Sequence, residues 1–183
     1  MVVKPYHHGD LRQALIQAGL TLLATRAADD LSLREVARAV GVSATAVYRH
    51  FPDKRALMEA LATDGLERLS AAQHAAAEAV GGGVPGFAAT GRAYVRFALE
   101  NPALFRLIFS NPTDAGRRLG DTEDPPEAMR LLRANAAAVA PAGVDPHILA
   151  LSAWSIAHGL SMLMLDRQVE ADLDIVDAVI KAL

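Results

Sequence analysis

The stretch SLREVARAVGVSATAVYRHFPDKRALMEAL, residues 32–61, decides how the chain folds. It opens with a Ser-x-x-Glu pattern, in which the serine hydroxyl and the carboxylate of Glu35 pair with amide groups that a helix start leaves unpaired. Gly41 follows the apolar face of this helix, where a left-handed residue is favoured to end it. Ser43 can then cap a second, short helix. The stretch therefore predicts two helices joined by a tight turn.

The tight turn places three demands on the residues around it. The two helices need a small residue where they cross, a residue that tolerates positive φ in the turn, and a branched apolar residue on the second helix. Ala37, Gly41 and Val47 supply these in order. We therefore predict a helix-turn-helix, a motif whose second helix enters the major groove of DNA, with this second helix running through Phe51.

The same residues resemble the DNA-binding domain of the tetracycline-repressor (TetR) family. That domain carries a Gly-Val-Ser turn, a Tyr-x-His-Phe end to its recognition helix and a Lys-x-x-Leu start to the next helix. Here the three patterns begin at Gly41, Tyr48 and Lys54. The resemblance covers about residues 7 to 61 and implies a DNA-binding domain built on a helix-turn-helix.

Hydrogen-bond donors crowd the end of the second helix and the start of the next. Tyr48, Arg49, His50 and Lys54 all lie there, and such side chains are the usual partners of DNA phosphates. The alternative, that an alanine-rich helix pair is merely part of a bundle, does not need so many donors. We predict that Tyr48, His50 and Lys54 position the protein on phosphates without reading sequence.

Base readout is predicted from fewer residues. By its match to the family pattern, Arg34 is the long donor that could reach a guanine in the major groove. The recognition helix itself offers short side chains, of which Thr45 alone can form a hydrogen bond. The full set of predicted DNA-binding residues is Ser32, Arg34, Ser43, Ala44, Thr45, Tyr48, Arg49, His50 and Lys54.

Composition indicates a globular protein with a local DNA surface. The chain has 183 residues, 52% of them hydrophobic, a net charge of −3 and no cysteine. Residues 1–60 hold 8 Lys and Arg against 6 Asp and Glu, which leaves 10 against 15 in residues 61–183. The basic excess lies at the helix-turn-helix end. The absence of cysteine and of an apolar N-terminal run leads us to expect a reducing cytoplasm.

The remaining patterns predict an all-α chain of about nine helices. Residues 4–8 should form a mobile arm, with Asp10 capping a first helix that ends near Arg26. The glycine-rich residues 80–86 should break the chain, and residues 111–126 should form an exposed loop. We place the boundary near residue 55, between a DNA-binding domain, residues 1–55, and a helical bundle for ligand binding and dimerisation, residues 56–183.

The apolar run from Ile148 to Leu165 holds 18 uncharged residues, the length at which a membrane span must be considered. His158 and three serines make it a poor one, so we expect no membrane contact. Its leucines and isoleucines follow a coiled-coil-like seam, while Ser152, Ser155 and Gly159 line another face. This pattern predicts a helix buried on two sides, and with the last helix it favours a homodimer.

Two short motifs in the second half add to the resemblance. Trp154, His158 and Gly159 form Trp-x-x-x-His-Gly, and NPALFRLIF occupies residues 101–109; both resemble one class of C-terminal domain that follows TetR-type DNA-binding domains. That class implies ligand binding and dimerisation. Trp154 and His158 are then either core residues or part of an apolar pocket for a small-molecule effector. The predicted pocket residues are Tyr94, Phe97, Phe105, Trp154, His158 and Met162.

Other function classes receive less support from the sequence. An enzyme would need a catalytic or metal-binding pattern, and we find no His-Glu-x-x-His pattern and no phosphate-binding glycine loop. His7 and His8 are adjacent in the predicted arm and are expected to be solvated, so no metal and no cofactor are predicted. A DNA-binding architectural protein without an effector remains an alternative. We expect a homodimeric, ligand-responsive regulator that acts as a repressor on a near-palindromic operator, and not an enzyme.

Overall fold

The computed structural model describes residues 8–110 and 127–181, and every regular element within them is helical. A short 3-10 turn, Ala28–Asp30, follows the first helix. The α-helices are α1 (His8–Leu23), α2 (Leu33–Val40), α3 (Ala44–Tyr48), α4 (Lys54–Ala79), α5 (Gly83–Glu100), α6 (Pro102–Ser110), α7 (Glu127–Val139), α8 (Pro146–Leu165) and α9 (Leu173–Lys181). The predicted all-α class is confirmed. The predicted loop, residues 111–126, and the arm up to residue 7 lie outside the described residues.

The chain divides into two compact units. The first comprises Met1–Gly65 and Ala103–Asn111, and the second comprises Leu66–Pro102 and Pro112–Leu183. The division falls inside α4, and α6 belongs to the first unit. The domain boundary expected near residue 55 also lies inside α4 and stays a prediction.

The first unit is organised around the helix-turn-helix. Val36 of α2 and Val47 of α3 are fully buried, together with Phe51 and with Leu57 of α4. Close packing of α1 on α4 requires Gly19, because a Cβ atom there would lie 2.9 Å from Cδ2 of Leu61. The core therefore fixes α3 by its inward side and leaves its other side in solvent.

The second unit has its own core, in which α5, α8 and α9 meet. Its buried centre consists of Val95, Leu160, Met164 and Val176. Nε of Arg92 on α5 donates to Oδ1 of Asp177 on α9 over 2.8 Å, in a half-exposed ion pair. These contacts tie the short last helix to the long helices of the unit.

Several helix boundaries differ from the prediction. Helix α1 begins at His8 and ends at Leu23, whereas the sequence predicted an arm that included His8, a cap at Asp10 and an end near Arg26. The recognition helix α3 ends at Tyr48 instead of Phe51, since Arg49 and His50 form a turn in which the amides of His50 and Phe51 both bond to the carbonyl of Val47. Helix α5 begins at Gly83, inside the predicted breaker. Pro85 lies in its first turn, where the missing amide hydrogen has no partner to lose.

Helix α8 is long and apolar enough to cross a membrane by length and composition alone, which is weak evidence for a span. Its predicted seam divides between two environments. Leu160 is buried, Leu149 and Ile156 are half-buried, and Leu163 is 46% exposed. We call Ile148, Leu151, Ser152, Ser155, Gly159 and Leu163 the α8 outer stripe; one side of the helix carries them all, and most of them are exposed.

Candidate nucleic-acid interface and effector cavity

The start of α2 is the predicted capping box. Oγ of Ser32 accepts a hydrogen bond from the amide of Glu35 at 3.3 Å, and the Glu35 carboxylate accepts one from the amide of Ser32 at 3.0 Å. Arg26 pairs with the same carboxylate at 2.7 Å. The hydrogen bond to the Ser32 hydroxyl, followed by that to Arg26, lowers the pKa of Glu35. Ser32 thus has a structural role, and its predicted DNA contact stays a prediction.

The turn after α2 orients the recognition helix. Gly41 has a φ of 77°, and its amide bonds to the carbonyl of Arg38, while the amide of Val42 bonds to the carbonyl of Ala37 at 3.0 Å. This pair of bonds is the Schellman arrangement, in which a left-handed residue closes a helix. Ser43 caps α3 by accepting from the amide of Ala46 at 3.3 Å. The sequence therefore encodes both the end of one helix and the start of the next.

Most of the nine predicted DNA-binding side chains lie at the protein surface. Tyr48 is 49% exposed, and Arg34, Ser43, Thr45 and Arg49 are also exposed. Ser32, Ala44, His50 and Lys54 are half-buried. We call the exposed five the recognition surface. They come from α2, the turn after α2, α3 and the turn after α3. The capping box and the glycine turn fix the positions of α2 and α3.

Lys54 has a partner within the first unit. Its Nζ donates to the backbone carbonyl of Asp29 over 2.6 Å. An ammonium group has three donors, so this bond is compatible with a further contact to phosphate. It also links the start of α4 to the 3-10 turn.

Arg38 is a further candidate for DNA contact that the sequence motifs did not indicate. Arg38 is exposed and lies one helical turn after Arg34 on α2. The spacing of four residues between the two arginines was the available signal, since residues so spaced share one side of a helix.

Three of the six predicted ligand-binding residues form a hydrogen-bonded cluster in the second unit. Nε1 of Trp154 donates to the hydroxyl oxygen of Tyr94 over 3.2 Å, and the same hydroxyl lies 2.9 Å from Nδ1 of His158. Tyr94 is 4% exposed, and burial raises its pKa. Burial also lowers the pKa of His158. A neutral His158 can accept a hydrogen bond from the hydroxyl at Nδ1, so the three side chains bond to one another without a charge.

The other three residues lie apart from this cluster's hydrogen bonds. Phe97 is buried, and Met162 is half-buried in the second unit. Phe105 belongs to the first unit, where it is fully buried and its ring centroid lies 4.9 Å from that of Phe109. The ligand-binding role of the six residues stays a prediction.

A cavity of about 430 Å³ lies elsewhere in the second unit, and we call it the α5–α8–α9 cavity. Its walls include Phe87 and Val95 of α5, Leu149 and Ile156 of α8, and Val176 and Ile180 of α9. Of the fifteen described residues that line it, Ser152 alone has a polar side chain. None of the six predicted ligand-binding residues lines it. Two of them, Trp154 and His158, project from a different side of α8. Its size is typical of a site for a small molecule.

Comparison with family models finds matches in both halves of the chain. Residues 15–61 match the family described as bacterial regulatory proteins, tetR family, and residues 87–183 match the tetracyclin repressor-like C-terminal domain. The second match includes the Trp-x-x-x-His-Gly motif, although the finer C-terminal class stays a prediction. No protein of curated function matches the sequence.

Solved structures of similar fold span nearly the whole chain. A protein of unknown function from Rhodococcus sp. RHA1 is 34% identical, with a TM-score of 0.80 over 97% of this chain and 94% of that one. A tetR-family transcriptional regulator from Streptomyces coelicolor is 20% identical, with a TM-score of 0.65 over 98% and 79%. RolR, solved with resorcinol, is 22% identical, with a TM-score of 0.63 over 94% and 86%.

The sequence motifs, the all-helical structure and the two family matches agree with one another. The matched C-terminal domain alone covers more than half of the chain. The chain belongs to the TetR family of DNA-binding transcriptional regulators.

Proposed function

We propose that the protein is a dimeric repressor that binds a near-palindromic operator and is released from it by a small-molecule effector. The observation that carries the proposal is the recognition surface. Arg34, Thr45, Tyr48 and Arg49 present donors outward from a helix-turn-helix whose inner side is closed by buried apolar residues. Two such units on a symmetric dimer suit two half-sites in successive major grooves.

The proposed dimer rests on the α8 outer stripe. Ile148 is 54% exposed, Leu151 is 48% exposed and Leu163 is 46% exposed, so one chain alone leaves large apolar side chains in water. A Cβ atom on Gly159 would meet nothing within 4 Å, so the centre of the stripe is open to close approach. A second copy can cover such a surface with its own stripe, since two-fold dimers pair the same patch on both subunits.

Effector release is proposed to act by population shift. The effector must bind better to a conformer whose two recognition helices are wrongly spaced for the operator. Helix α4 contains residues of both units, so we propose that it transmits the change. That RolR was solved with resorcinol supports a small-molecule effector.

We also propose which part of the chain carries each role and where in the cell the protein acts. Residues 1–55 bind DNA, and residues 56–183 bind the effector and form the dimer. The protein acts in the cytoplasm, where a chain without cysteine needs no oxidising environment. Its family membership favours a regulator without enzymatic activity.

Binding-site selection from random duplexes tests the operator. We expect a near-palindrome whose half-sites are centred about ten base pairs apart or a multiple of that. Mass spectrometry of molecules that co-purify with the protein would then supply an effector, which should lower operator affinity. An architectural protein without an effector would instead keep the same operator affinity across a panel of metabolites, and that result would reject ligand-responsive repression.

A further inference from the structure

We propose, building on the effector response above, that the α5–α8–α9 cavity is the effector site and that its ligand is a small, uncharged, mostly hydrocarbon molecule with one hydrogen-bonding group directed at Ser152. The cavity measures about 430 Å³, and fourteen of its fifteen described lining residues are apolar. Nothing in the sequence pattern had pointed to these residues as a ligand site.

The lining excludes a charged ligand on physical grounds. No described residue that lines the cavity carries a charge. A carboxylate or an ammonium at the depth of the cavity would lose its water without gaining an opposite charge, which costs far more than the apolar contacts return. Uncharged hydrocarbon surface gains free energy in the same place, because its transfer out of water is favourable.

Ser152 sets where a polar group of the ligand can lie. It lines the cavity and also belongs to the exposed α8 outer stripe, so it stands at the edge of the cavity and not at its depth. Its hydroxyl can donate one hydrogen bond and accept others. A ligand with one hydroxyl or carbonyl group at one end can therefore bury its hydrocarbon part against Val95, Leu160 and Val176, with the polar group near Ser152.

Neighbouring polar groups do not supply a second anchor. Tyr94 and His158 bond to each other, and neither lines the cavity. Arg92 lies next to Gly91 in sequence but pairs with Asp177. The site therefore selects ligands by their shape and their low polarity, and Ser152 supplies the single directional contact.

A series of three probes that share one ring skeleton tests the ligand class. Naphthalene, 1-naphthol and 1-naphthoate differ in having no polar group, one hydroxyl or one charge. Calorimetric titration of the full chain should give dissociation constants below about 1 mM for the first two, and binding at least about tenfold weaker for the carboxylate. Equal or tighter binding of 1-naphthoate, or no binding of naphthalene and 1-naphthol, would overturn the proposal.

Substitutions of residues that line the cavity test whether 1-naphthol binds there. Ala153→Phe should fill the cavity from α8 and weaken 1-naphthol binding at least about tenfold. Ala88→Leu, which lines the cavity from α5, gives a second test if the first variant misfolds. The matched control, Ala72→Phe, adds the same side chain at an exposed position of α4 that does not line the cavity and should bind as the wild type does. Ser152→Ala should bring the affinity for 1-naphthol down to that for naphthalene. Unchanged binding in both cavity-filling variants would overturn the assignment.

Two further outcomes distinguish a small-molecule site from the proposed effector response and from a dimer contact. If 1-naphthol binds in the cavity but leaves operator affinity unchanged, the ligand class stands and the effector response fails. If Ala153→Phe instead converts a dimer into a monomer while Ala72→Phe does not, a second copy of the chain fills the cavity, and the small-molecule site is wrong.

Discussion

Single residues on the DNA-binding unit differ in what their side chains are able to do. Arg34 is exposed, and its planar guanidinium can pair with two acceptors of one base at once. Lys54 is half-buried and already holds the carbonyl of Asp29. An ammonium acts on a phosphate mainly as a point charge. We therefore propose that Arg34 contacts a base and that Lys54 contacts a phosphate.

Replacing Arg34 should relax sequence preference. We expect Arg34→Ala to lose about 1 to 3 kcal/mol of discrimination at one base position of each half-site, because a bidentate contact to guanine is worth that much. Binding-site selection on the variant and the wild type measures this loss. The control is Arg38→Ala, which removes the same side chain one turn later on α2. Relaxation in the control alone would move base readout to Arg38.

Replacing Lys54 should weaken binding to every sequence alike. Lys54→Ala removes one phosphate contact, so the slope of log affinity against log salt should fall by about one unit. Titrations of operator and of unrelated duplex at several salt concentrations measure the slope. Lys54→Arg keeps the charge and should keep the slope. A changed sequence preference with an intact salt slope would contradict the phosphate role.

At the scale of elements, boundaries set by local chemistry could be predicted from the sequence. The capping box at Ser32 and the left-handed Gly41 both depend on neighbours in the chain. The start of α5 depends on more, because Gly83 continues into a helix whose Gly86 packs against the backbone of Ala77. From the local pattern of glycines alone, only a break in the chain was predicted.

The candidate sites divide in the same way. Candidates for the recognition surface could be named from the sequence, because a short motif fixes which residues of α2 and α3 are exposed. The α5–α8–α9 cavity could not, since Phe87, Leu149 and Val176 are far apart in sequence and look like ordinary core residues. Trp154 and His158 are four residues apart and so share one side of α8, where they bond to Tyr94.

The capping box supports a prediction at this scale. Ser32→Ala should lower the free energy of unfolding by about 1 kcal/mol, as loss of a helix cap does, whereas Ser32→Thr should keep most of it. Denaturant titration measures the change. The pKa of Glu35 lies below its ordinary value of 4.5. The ionised carboxylate therefore stabilises the fold above that pH, and this stabilisation is lost as pH falls through the folded pKa. The difference in the free energy of unfolding between Ser32→Ala and the wild type should therefore become smaller in acid.

The same variant separates the two roles of Ser32. A loss of operator affinity larger than the loss of stability explains would support the predicted DNA contact. Unchanged stability would contradict the cap, because the hydroxyl would then contribute nothing to the start of α2.

For the whole molecule, the decisive question is what covers the α8 outer stripe. An interface of standard size buries about 1,600 Å² in total, and its gain must exceed the cost of association before a dimer persists. The stripe offers three large apolar side chains around a small centre, and α9 lies beside α8 in the same core. The proposed operator symmetry and the proposed effector release both require this pairing.

Gly159→Glu tests the pairing directly. Within one chain the substitution has room, because a Cβ atom at Gly159 meets nothing within 4 Å, so the subunit should still fold. Against a second copy, the carboxylate would be buried without a partner, and the dimer should be lost. We expect analytical ultracentrifugation to show a monomer, operator binding to fail, and helical content to stay. Ala72→Glu, at an exposed position of α4, should remain dimeric. A wild-type protein that sediments as a monomer at tens of micromolar would reject the dimer, and with it the palindromic operator, because one recognition helix reads only one half-site.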